Sequence, residues 1–295
     1  GVVTMMIFYY FIMFAPFASV IGELMHWSIE RLIFIAWLAQ VVFTPLIALP
    51  TDLVDNHFLL LALSTGAVGA VAFFILTTTV MRTWHLSWSG LKPHWSGDFN
   101  WLIFAGLVVV DAIFTVLNTG EMPSLHRANW DFTLSAFEAA VMEETLFRFA
   151  ILGILFYAWR NVKQRLPLAL ATSSILFGIV HLTNYGPQEW SMTVLQAVSA
   201  AGIGLFFATV YVYTGQLWLA MLMHFLLDWT AFIASDSTLM TGKVTVQDWI
   251  GTGIELVVFI GIAVWMMFGQ RRQVMERHVN RLTGEHQRFD FMIQY

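Results

Sequence analysis

The sequence predicts an all-α protein, a polytopic membrane bundle of eight or nine transmembrane helices with a polar intramembrane cavity. Three observations lead there. The 295 residues are 58% apolar and only 11% charged, with 26 Phe and 13 Trp, which is too apolar for an ordinary soluble domain. The apolar residues gather into runs close to the roughly 20 residues that a membrane-crossing helix needs. Finally, the basic residues between those runs are unevenly shared between alternate loops, as they are when one set of loops faces the cytoplasm.

Taken in order, the runs fall at about 3–21, 32–50, 58–81, 99–118, 133–159, 166–182, 192–214, 216–234 and 249–268. The first lacks a basic leading segment and a small-residue cleavage site, so it reads as a retained helix and not as a signal peptide. The second and third carry no ionisable residue. The loop 82–98 holds Trp84, His85, Trp88, Pro93, His94 and Trp95 and is expected at the membrane interface. The fourth run contains Asp111 and Asn118, read as a polar helix contact or a water-facing group. The fifth contains Glu138, Glu143, Glu144 and Arg148, the sixth ends at His181, the eighth contains His224 and Asp228, and the ninth contains Glu255 near its start. Glu138 and Glu255 read as polar-cavity residues near helix entrances.

One set of alternate loops, with the tail, holds Arg31, Arg82, Lys92, Arg160, Lys163, Arg165, Arg271, Arg272, Arg277, Arg281 and Arg288; the other holds Arg127 and Lys243. Nine helices with the N-terminus outside and the C-terminus in the cytoplasm fit this asymmetry. Merging one early span would move only the N-terminus. Trp27, Trp84, Trp88, Trp95, Trp101, Trp130, Trp159, Trp190 and Trp249 fall near predicted helix ends, as an aromatic belt would. Residues 1–268 are expected to form a single transmembrane domain. Residues 269–295 are polar, carry five Arg, and are expected to be a cytoplasmic surface helix or loose tail.

Composition also excludes several classes. The absence of Cys removes disulfides, thiolate metal sites and a Cys nucleophile together. A net charge of −5 without a basic stripe gives nucleic acid no surface to bind. The expected surroundings are a cell membrane, crossed several times.

Ionisable residues at bilayer depth are costly and mark function by default. Glu144 and Arg148 lie four apart, on one face of a helix. Because a guanidinium keeps its proton, Arg148 needs a carboxylate, and Glu144 is the nearest along the chain. Glu143, turned about 100° away, is then left to face a cavity, where low dielectric raises a carboxylate's proton affinity and suits it to deprotonate water. His181 shares a face with Phe177, whose ring could hold the imidazole. His224 and Asp228 are one turn apart, the Asp able to fix the tautomer of the His, which could then stabilise an oxyanion. Taken singly, each residue has a blander explanation. A buried His is often an interhelical hydrogen-bond partner, and a Glu-Arg pair serves structure as readily as chemistry. Three such clusters on three nearby spans, with the other spans almost free of charge, point to an intramembrane hydrolase.

Glu143-Glu144-x-x-x-Arg148, Phe177-x-x-x-His181 and His224-x-x-x-Asp228 resemble, in order and spacing, the three motifs of the CPBP family, which comprises CAAX prenyl protease 2, Abi and bacteriocin-processing proteins. The resemblance covers about residues 130–235. It implies an intramembrane endopeptidase in which Glu143 activates a water with the help of His181, while His224 and its partner at position 228 serve the oxyanion. The family accepts Asn or Asp at that last position; an anionic Asp228 is the poorer oxyanion donor and reads as an orienter of His224. Glu144, Arg148 and Phe177 take supporting roles.

The expected reaction uses no cofactor. The alternative is a zinc protease with Glu143, His181, His224 and Asp228 as ligands; another is a non-catalytic membrane immunity or transport protein that uses the same polar residues. H-E-x-x-H, G-x-S-G and G-x-G-D are all missing, which removes other intramembrane protease types. The expected partners are the lipid bilayer and a peptide or protein substrate, either prenylated or a bacterial peptide precursor.

Overall fold

The computed structural model describes residues 4, 8, 14–47, 54–86, 90–91, 95, 97–119, 128–240 and 242–284, and among these residues it is all-helical, without a strand. The helices are α1 (Phe14–Glu23), α2 (Ser28–Ile47), α3 (His57–Ser64), α4 (Ala67–Thr83), α5 (Trp101–Thr119), α6 (Trp130–Glu144), α7 (Leu152–Ala158), α8 (Arg165–Val180), α9 (Trp190–Thr214), α10 (Leu217–Ser235), α11 (Val246–Met266) and α12 (Gly269–Leu282). A π-helical segment, Thr145–Ile151, joins α6 to α7, and a 3₁₀ turn, His181–Asn184, extends α8. Lys92, Trp88, Pro93, His94, Arg127 and Arg288, assigned above to loops and tail, lie outside the described residues.

Each apolar run meets a helix over its described part. Among the described residues five helical stretches are long and apolar enough to cross a membrane, Trp101–Thr119, Arg165–Asn184, Trp190–Thr214, Leu217–Ser235 and Val246–Met266, and α3 with α4 makes six if the bent pair is one span. Several expose large apolar side chains, among them Leu102, Leu117, Ile254 and Val257, the faces that lipid would solvate.

The run at 58–81 is not one continuous helix, because α3 and α4 meet at a 60° bend. Gly66 sits there with φ 82°, a left-handed conformation that a side chain would penalise, and it ends α3 and starts α4. Asn56 caps the start of α3 by accepting from the Leu59 backbone N–H at 2.9 Å.

The chain divides into two units. The first comprises Gly1–Ser89, Ala128–Arg160 and Asn280–Tyr295. Its centre is α4, which packs against α1, α2, α3 and α6. The buried face of α4 alternates Ala67, Gly69, Ala70 and Ala72 with Phe73, Leu76, Val80 and Met81, so that small residues let backbones approach while larger ones fill the space. Trp84 is buried here, its indole N–H donating to the Gly22 carbonyl at 2.8 Å. It is therefore a core residue and not the belt residue the sequence suggests, whereas Trp27 and Trp130 are well exposed.

The second unit comprises Gly90–Arg127 and Asn161–Val279. Its axis is α9, 25 residues long, flanked by α8, α10 and α11, with α5 against α10. Close approach of α8 and α9 depends on Gly178, where a Cβ would stand 2.5 Å from the Ala197 carbonyl oxygen. The start of α11 is closed by a capping box of Thr245 and Asp248. The segment after α11 does not hang free. It forms α12, which buries Val274, Met275, His278 and Val279, and the His278 Nδ1–H donates to the Val212 carbonyl at 2.9 Å.

Candidate active site

The carboxylate motif lies on the helix that runs from α6 through the π segment into α7. Asn129 starts it, its side chain accepting from the Phe132 backbone N–H at 2.8 Å. Ala136, Ala140 and Glu144, at four-residue spacing, form the buried stripe of α6. Arg148 Nε stands 3.0 Å from Glu144 Oε2, and neither side chain is exposed. The pairing inferred from spacing is thus present. Glu143 is half-buried, and its charge also acts on Arg148, after that of Glu144. The guanidinium therefore feels both carboxylates, with Glu144 the stronger partner.

Nothing in the residue pattern announces the π segment. Its i→i+5 hydrogen bonds widen the helix directly after the two glutamates, and such turns are rare and concentrated at functional sites. Within it Thr145, Phe147, Arg148, Phe149, Ala150 and Ile151 are all buried.

The imidazole motifs lie in the second unit. His181 is the first residue of the 3₁₀ turn that ends α8. Its Nδ1 is 2.7 Å from the Phe177 carbonyl oxygen, which can only accept. Nδ1 therefore carries the hydrogen, and in the neutral ring Nε2 holds the lone pair that can take a proton. The ring of Phe177, a residue only 2% exposed, meets the His181 ring edge-on at 4.8 Å. The same ring meets His224 of α10 at 6.1 Å and 85°. Phe207 of α9 packs on His224 from 5.6 Å. One phenyl ring thus brings together two imidazoles that are 43 positions apart in the chain. His224 Nε2 lies 3.3 Å from Asp228 Oδ2, the one-turn contact that their spacing implies.

Two contributors escaped the sequence reading. Gly204 on α9 lies against Phe177, and a Cβ there would fall 2.9 Å from the ring's Cδ1, so the missing side chain makes room for the ring that holds both imidazoles. Asp111 on α5 is close enough to His224 for their charges to interact, which gives that imidazole a second carboxylate neighbour besides Asp228. No local pattern could have revealed either, because both depend on helix packing. Glu255 serves packing: Ser199 Oγ donates to its carboxylate at 3.0 Å, linking α9 and α11.

Among the described residues no group of three or more His, Asp or Glu is placed to hold a metal ion. A cavity of about 360 Å³ in the second unit lies between α5 and α11, and none of the motif residues lines it.

Against known proteins, no curated protein and no solved structure matches the chain. Residues 126–230 match the family model of the type II CAAX prenyl endopeptidase Rce1-like proteins. With its apolar helices, this makes the chain a multi-pass membrane protein with similarity to a protease family. The match is consistent with the CPBP resemblance, and Glu143, Glu144, Arg148, Phe177, His181, His224 and Asp228 all fall inside the matched stretch.

Proposed function

We propose that this protein is an intramembrane endopeptidase that hydrolyses a peptide bond with a water activated by Glu143 and His181, without a metal. The observation that carries the reading is that one match to prenyl endopeptidases spans all three polar motifs. In the reaction, the Glu143 carboxylate takes a proton from water while the oxygen attacks the scissile carbonyl. His181, with Nδ1 tied to the Phe177 carbonyl, offers Nε2 to the water and holds its direction. His224, oriented by Asp228, stabilises the oxyanion of the tetrahedral intermediate. Collapse breaks the C–N bond, and the proton held by Glu143 passes to the departing amine. Glu144 and Arg148 neutralise each other's charge within the helix, and Phe177 positions the two imidazoles.

The substrate is a peptide or protein, either a prenylated C-terminal CAAX sequence or a bacterial peptide precursor. Eight or nine spans in the cell membrane with a cytoplasmic C-terminus complete the proposal, supported by the uneven loop charges.

The test incubates the purified protein in detergent with prenylated and unprenylated peptides, with and without a chelator, beside Glu143→Ala. Cleavage by the wild type that persists with chelator and disappears in Glu143→Ala is the expected result. Loss on chelation with recovery on adding zinc would overturn the metal-free mechanism, and cleavage that survives Glu143→Ala would remove that residue as the base.

A further inference from the structure

The cavity between α5 and α11 is independent of the motif residues and has a distinct chemical character. Its wall includes Ile103, Gly106, Val110 and Ile262, with Asn100 and Trp265 at one end. From Asn100 to Val110 the helix rises about 15 Å at 1.5 Å per residue, about half of a hydrocarbon core roughly 30 Å thick. The groove is thus an apolar slot one leaflet deep.

Its polar end carries a cation. The Arg271 guanidinium lies 4.0 Å from the Trp265 ring centroid, and its Nε–H donates to the Trp265 carbonyl at 3.1 Å. The neighbouring arginines are engaged otherwise, Arg272 with Glu276 at 2.7 Å and Arg277 with Asp98 at 2.5 Å. Among the described residues Arg271 meets no carboxylate. Beside it, the Asn100 backbone N–H donates to the Tyr213 hydroxyl at 3.1 Å, and Arg271 lies near enough to Tyr213 for its charge to be felt. Trp95, Phe99, Trp101 and Phe104 cluster at the same end of α5, at ring separations from 4.7 to 6.0 Å. Such an aromatic cluster marks headgroup depth.

We propose that this groove is a binding site for an anionic glycerophospholipid, with one acyl chain along α5 and α11 and the phosphate on Arg271. An apolar slot of one-leaflet depth, closed at headgroup level by a cation without a carboxylate, complements an anionic lipid in both charge and length. The site lies apart from the residues assigned to hydrolysis, so it stands or falls separately from the proposed activity.

Native mass spectrometry of the purified protein, after exchange with phosphatidylglycerol or phosphatidylcholine of the same acyl chains, tests it. The expected result is one retained phosphatidylglycerol, preferred over phosphatidylcholine by about fivefold, the worth of one basic residue near an anionic surface. Arg271→Gln abolishes the preference and Arg271→Lys keeps it. Gly106→Leu fills the slot from a position where a Cβ meets nothing within 4 Å, and lowers retention of both lipids. Circular dichroism checks that each variant is folded. Equal retention of the two lipids, retention unchanged in both Arg271→Gln and Gly106→Leu, or displacement of the lipid by a farnesylated peptide would each overturn the proposal.

Discussion

Glu144 and Arg148 sit one turn apart on a single helix with neither side chain exposed, whereas His181 and His224 come from two helices and meet on the ring of Phe177. The first region is fixed by charge, the second by shape. An ion pair without solvent is unforgiving when one partner goes, because the other charge is left buried and uncompensated. An aromatic clamp fails more gradually, because a displaced ring still fills space. The difference teaches where each region is vulnerable.

The largest expected effect tests the chemistry beside the ion pair. Glu143→Gln keeps the shape and removes the base, so cleavage falls by about 10²–10⁴-fold, while the helical circular dichroism is unchanged. Peptide cleavage within tenfold of wild type would end the role of Glu143. Next comes the ion pair itself. Arg148→Met leaves the Glu144 carboxylate alone in the interior and costs about 3–5 kcal/mol, read as thermal unfolding in detergent. Adding Glu144→Gln to Arg148→Met recovers much of that loss, since the fully buried carboxylate is then gone as well. If the two losses simply add, the pair is not the coupled unit its geometry indicates.

The clamp responds less steeply. Gly204→Ala drives a Cβ towards the Phe177 ring, at 2.9 Å from Cδ1, and costs about 1–3 kcal/mol through overpacking. It also lowers kcat, because two imidazoles depend on that ring, and Phe177→Leu in the same protein restores stability but not kcat. Gly251→Ala, where a Cβ meets nothing within 4 Å, serves as the neutral control. The smallest effect is at Asp228. Asp228→Asn keeps a hydrogen-bonding group beside His224 and retains activity within about tenfold, the scale of a single hydrogen bond, while Asp228→Ala loses more. An Asn variant as poor as the Ala variant would show that the negative charge, and not the orientation of His224, is what matters.

What the sequence could reveal follows from the range of each signal. Apolar runs and charges inside them are local, so the helices and the Glu144–Arg148, His181–Phe177 and His224–Asp228 spacings were legible as one-turn relations. Breaks in regularity were not. Gly66 lies in an otherwise apolar run and its bend shows only when the backbone is followed. The π segment Thr145–Ile151 carries no Pro or Gly that would mark a break in the helix. Long-range partners were equally hidden: Gly204 against Phe177, Asp111 near His224, and Trp84 turned inward to the Gly22 carbonyl. The anchoring of α12 was hidden for the same reason, since the hydrogen bond from His278 to Val212 spans 66 positions.

The wide turn at Thr145–Ile151 fixes how this helix tolerates change in length. Loss of one residue there would let the backbone return to ordinary α-helical winding with little swing, whereas rewinding all of its residues as α-helix would turn everything before it by about 100° relative to Leu152, Gly153 and Ile154. The acidic dyad would then point to a different compass bearing with its own residues untouched. The winding of this one coil is therefore a steering device, able to redirect the dyad without altering a single one of its atoms.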